Sequence, residues 1–126
     1  MNSFQIKKAR IKLAEAIKTL DLIISQISVN TNISDYSYEV WEIYSNVEYS
    51  ILMLKLHLGQ ENFGKFVLKN KIKENDLVAL VKVFNYLKDA LNDLDNENYI
   101  KAIESARRAK RVLHTTLLTI RKIRFK

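Results

Sequence analysis

The sequence predicts an all-α fold, an antiparallel bundle of four long helices and one short one. Three observations predict it. Proline is absent and the only glycines are Gly59 and Gly64, so little interrupts a helix. Apolar residues recur every three or four positions through four long stretches, the repeat of a single helix face. Runs rich in Asn, Asp and Ser separate those stretches and supply caps and turns. With 126 residues, 48% of them hydrophobic, the chain reads as one domain, 1–126. A chain of this size can bury roughly two-thirds of its unfolded surface around a single core.

The elements follow in order. Ser3 can cap a first helix that runs to about residue 28, with Ile6, Leu13, Ile17, Leu20, Ile24 and Ile27 on one side. The polar segment 29–37 turns the chain, and Asp35 or Ser37 can cap the next helix. That helix, 38–58, places Val40, Tyr44, Val47, Ile51, Leu54 and Leu58 on one face. Tyr38, Tyr49, Leu52 and Leu56 form a second apolar face, more than one core contact requires. Gly59 stands where a left-handed C-terminal cap belongs. A short helix is expected over 61–70, with Phe63, Phe66 and Val67 inward. Asn75 or Asp76 then caps a helix to about residue 94, whose stripe is Leu77, Leu80, Val81, Phe84, Leu87 and Leu91. Asn96 is expected to cap the last helix, 97–126.

Composition narrows the function classes. The absence of cysteine excludes disulfides, thiolate metal sites and cysteine nucleophiles. The first helix carries Lys7, Lys8, Arg10 and Lys12, unlike a signal peptide, and no apolar run reaches the roughly 20 residues of a membrane span. A cytoplasmic location without a membrane partner is the expectation. The formal net charge is +7 and unevenly spread. Residues 31–60 carry Asp35, Glu39, Glu42 and Glu48 against Lys55, whereas the first and last helices are basic. A polarised basic surface suits an anionic partner such as RNA, DNA or an acidic protein.

The last helix concentrates this charge. With Ala106 set at zero and 100° per residue, Tyr99, Ala102, Ala106, Ala109, Leu113, Leu117 and Ile120 form the core stripe. Arg107, Arg111 and His114 fall together at its edge, while Arg108 lies about 120° from His114. Arg107 and His114 are thus the pair that can act together. RNA can be cut by its own 2′-hydroxyl attacking the neighbouring phosphate, which needs proton transfer and a cation on the developing charge. Histidine supplies the first and arginine the second, with no metal or other cofactor. Lys110, Arg108, Arg111 and Arg121 would hold the strand.

Arginine, four to six residues, then histidine resembles the signature of HEPN domains (higher eukaryotes and prokaryotes nucleotide-binding). Arg107 and Arg108 both meet that spacing to His114, and the aromatic-rich helix ending at Gly59 resembles the second HEPN helix. Ala109 and Thr116 stand where many members carry a polar residue and a tyrosine. The resemblance implies a small helical bundle, a homodimer and, in many members, a metal-independent ribonuclease or toxin. Arg107 and His114 would then be catalytic.

Other patterns point to structure. Glu104 can pair with Arg107 or Arg108 at helical spacing, leaving the arginines on a solvated face, and His114 can pack on the core edge. His57 sits at a helix C-terminus, where a cation is favoured. No metal cluster is spaced in the sequence, and Gly64 alone makes no phosphate loop. Tyr36, Tyr38, Tyr44 and Tyr49 can stack on bases or build a core or an interface. Two non-enzymatic alternatives stand beside this reading. One is a basic subunit of a nucleoprotein complex, such as a CRISPR effector small subunit. The other is a dimeric interaction module that meets a protein partner through helix 38–58.

Overall fold

The computed structural model describes residues 4–27, 33–59 and 76–124. These form α1 (Phe4–Gln26), a 3-10 turn (Ile33–Tyr36), α2 (Ser37–Leu58), α3 (Asp76–Asp95) and α4 (Tyr99–Arg124), with no strand among them. The all-α expectation stands. The short helix expected over 61–70 lies outside the described residues.

Packing makes a ring. α1 lies against α2 and α3, and α4 also lies against α2 and α3. Neighbours run antiparallel. Arg10 near the start of α1 pairs with Asp95 at the end of α3. His57 near the end of α2 meets Tyr99 at the start of α4, with ring centroids 5.0 Å apart. The ends of α2 and α3 therefore share one end of the bundle. A 20-residue helix spans about 30 Å, so α3 begins at the opposite end from where α2 stops.

The core is built on alanine as much as on leucine. Ala9, Ala16, Ala90, Ala102, Ala106 and Ala109 are fully buried beside Leu13, Leu20, Leu54, Leu80, Leu87 and Leu113. Small residues at the contact let helix axes approach closely. This corrects the expected stripes. In α3 the buried residues are Ala79, Leu80, Val83, Leu87, Ala90 and Leu94, while Leu77 and Val81 are exposed and Phe84 and Leu91 half-buried. The inward face is rotated about 80° from the one the large residues suggest. In α1, Ile6, Ile17, Ile24 and Ile27 move to the margin for the same reason. In α4, Ile103 and Thr116 join the core, while Tyr99 and Leu117 are half-buried. Three threonine hydroxyls in α4 bond to their own helix, Thr116 Oγ1 donating to the Val112 carbonyl at 3.0 Å.

Among the described residues the caps follow the sequence in one place and depart from it in two; the expected caps Ser3 and Asn75 lie outside them. Gly59 ends α2 in the left-handed conformation, φ 69°, its N–H bonding back to Leu56 O at 3.2 Å. At the other end of α2 neither Asp35 nor Ser37 caps. The 3-10 turn, anchored by buried Ile33, runs straight into the helix, and Tyr36 takes the N-cap position with no side-chain bond. Asn96 does not cap α4 either. Its N–H bonds to Asn92 O at 3.1 Å and so closes α3. Glu97 then turns left-handed at φ 63°, with Glu97 N–H to Leu94 O and Asn98 N–H to Asp93 O at 3.0 and 2.8 Å. This is a Schellman stop with glutamate where glycine is usual. Asn98 instead begins α4, its carbonyl accepting from the Ala102 N–H.

Among the described residues no helix is long and apolar enough to cross a membrane.

Candidate nucleic-acid interface

The candidate site is the flank where α4 lies beside α2. Alanines at 102, 106 and 109 draw α4 into the core, and residues on its two shoulders are carried to opposite sides. Arg107, Lys110 and His114 occupy the shoulder toward α2. Arg108 occupies the other. The separation of Arg107 from Arg108 expected from the helical repeat is therefore what the fold produces.

Each shoulder has its own electrostatics. On the α2 side, Lys55 approaches Arg107 and Lys110. Its ammonium is held below the usual lysine range, first by burial and then by the charges of Arg107 and Lys110. The Glu48 carboxylate enters this group, with Lys110 Nζ 3.6 Å from Glu48 Oε1. The Tyr44 hydroxyl donates to the same carboxylate. Burial, that bond and the Glu48 charge, in that order, push Tyr44 up to about 12. On the α3 side, Arg108 lines an open depression of about 280 Å³ with Asp89, Asp93, Glu104 and Lys101. Three carboxylates there face two cations.

Aromatic rings edge the α2 side. Trp41 stacks on Tyr44, centroids 5.7 Å apart and planes 19° from parallel. Tyr44 in turn meets the exposed His114 ring at 6.4 Å, tilted 36°. The row Trp41–Tyr44–His114 thus crosses from one helix to the other. Arg111 is half-buried on α4. Exposed Arg121 lies one 7-residue repeat beyond His114, on the same flank.

The expected catalytic pair is only partly brought together. Arg107 and His114 share the flank, but seven residues along a helix separate them by about 10 Å, with Lys110 between. The helical wheel gives angle and omits that rise. The pair reaches one phosphate only if both side chains lean inward, whereas a row of phosphates meets them as they stand.

Reading the last helix alone missed Trp41, Glu48 and Lys55. The signal available was the i, i+3 spacing of Trp41 and Tyr44, which puts two rings on one helix face. Nothing local could show that this face meets Lys110 and His114. His57 has a structural place, edge-on to Tyr99 at 77°. Among the described residues no group of three or more His, Asp or Glu side chains could hold a metal ion.

Comparison with protein-family models, with curated proteins and with solved structures finds no match for this chain.

Proposed function

We propose that this chain is a HEPN-like helical protein that binds RNA along the α2–α4 flank. The observation that carries the reading is the cation group Lys55, Arg107 and Lys110, gathered from two helices beside the carboxylate of Glu48. Like charges held together in a fold are stabilised by an anion, and a phosphate backbone supplies anions in series. Arg111 and Arg121 extend the row toward the C-terminal end of α4. Arg108, set among carboxylates, contributes far less than the sequence suggested. Binding of this kind weakens as salt rises, with each neutralised phosphate adding about −0.7 to the log–log slope for single strands.

Cleavage is the extension of this reading that the HEPN resemblance supports. It assigns proton transfer to His114 and charge stabilisation to Arg107. The discriminating experiment is a ribonuclease assay in chelator, comparing the native chain with His114→Ala and Arg107→Ala. Losses of a hundredfold or so in both mark an enzyme. Binding without turnover, unchanged in His114→Ala, marks a non-enzymatic subunit of a nucleoprotein assembly. No binding at about 50 mM salt removes the RNA reading altogether.

A second reading concerns self-association. Tyr38, Leu52 and Leu56 on the outer face of α2 are 71%, 50% and 55% exposed. They share one side of the helix between positions 38 and 56, apolar exposure of the kind that two-fold dimers bury. Light scattering at micromolar concentration tests the homodimer, and a monomer refutes it.

A further inference from the structure

The aromatic row beside the cations has a feature that phosphate binding does not use. Trp41 is 55% exposed although Tyr44 covers one face of its indole. The face turned away from Tyr44 is therefore open. The ring is also held in place from behind. Tyr44 is fixed by its hydroxyl bond to Glu48 and by contact with the His114 ring. A large flat ring, immobilised and open on one side, at the rim of a cation row is what an unpaired base requires. Glu48 is occupied by Lys110 and Tyr44. Glu42 follows Trp41 directly in the helix and so projects about 100° away.

We propose that Trp41 is a stacking seat for a single nucleobase, so that the ligand of this flank is a single strand and not a duplex. The base lies on the open indole face while its neighbouring phosphates run along Arg107, Lys110 and Arg111. A duplex keeps its bases paired and stacked inside and offers only phosphates to the row. This inference rests on the RNA reading above and adds to it the strandedness of the ligand and the residue that reads it.

Trp41 is the only tryptophan in the chain, so its emission reports the seat directly. The protein is titrated with oligoadenylate and, separately, with the same strand annealed to oligouridylate. Affinities for Trp41→Ala and Trp41→Phe come from the anisotropy of labelled oligoadenylate, with helicity checked by circular dichroism. The single strand is expected to quench the emission and the duplex to leave it nearly unchanged. Trp41→Ala weakens single-strand binding about tenfold, while Trp41→Phe keeps most of it. The salt slope is the same in native chain and Trp41→Ala, because no phosphate contact is lost. Native affinity in Trp41→Ala, or emission unmoved at saturation, overturns the seat. If Arg107→Ala still weakens binding in that case, the phosphate row survives without it. No binding of either oligonucleotide overturns both readings. A dimer that Trp41→Ala dissociates, with emission blind to RNA, assigns the ring to self-association instead.

Discussion

Replacing Arg107 and Arg108 one at a time separates the two shoulders of α4. Each change to alanine removes one positive charge from adjacent positions, so bulk charge cannot distinguish them. The surroundings can. Arg107 stands with Lys55 and Lys110 beside Glu48, whereas Arg108 lines a depression with Asp89, Asp93 and Glu104. A phosphate bound by Arg107 is a charge-assisted contact worth about 1.5 kcal/mol or more, roughly tenfold in affinity. Losing it also removes about 0.7 from the salt slope. Between about 50 and 200 mM salt the native chain should then lose two- to threefold more affinity than Arg107→Ala. Arg108→Ala should leave the slope within error of native. Anisotropy of a labelled single strand across that salt range measures both quantities. An Arg108→Ala slope that flattens as much as that of Arg107→Ala would refute the assignment of the interface to the α2 side.

Glu97→Gly should raise stability by about 1 kcal/mol, because a left-handed glutamate carries a steric cost that glycine does not. That corresponds to roughly 4 °C in Tm, and a melt equal to or below native, with Glu97→Ala as control, contradicts the Schellman geometry. Gly59→Ala should cost about 1 kcal/mol at the other left-handed cap; open space surrounds a Cβ there, so the cost is backbone alone and Gly59→Asn should recover part of it. Tyr44 is raised above its ordinary value of 10.0, so its contribution is intact below pH 10 and is lost as pH climbs toward about 12. Lys55 is depressed and works in the opposite sense, gaining stability as pH rises, so the comparison is native against Tyr44→Phe. Urea melts at about pH 9 and pH 11 should show a stability loss in the native chain that Tyr44→Phe lacks, and equal losses in both would be inconsistent with this environment.

The fold class was legible in the sequence because helix periodicity, the lack of proline and the Gly59 cap are local properties. Each depends on a few consecutive residues and on backbone conformations that those residues favour. The shoulder positions of Arg107 and Arg108 were legible too, since 100° per residue follows from the helix itself. What remained hidden was every quantity set by a second helix. Large apolar residues in α1 and α3 suggested the inward faces, yet alanine holds the centre in both, because closeness between helices outweighs side-chain size at the contact. The α3–α4 turn was misplaced by two residues, since Glu97 adopts a left-handed conformation that only the two bonds closing behind it support. The site shows the same division. Composition announced a basic last helix, and the fold alone decided that Lys55 would stand beside Arg107, that Glu48 would pair with Lys110, and that Trp41 and Tyr44 would edge the row. Those partners are 50 to 70 positions apart in sequence, and no local pattern encodes a distance across a bundle.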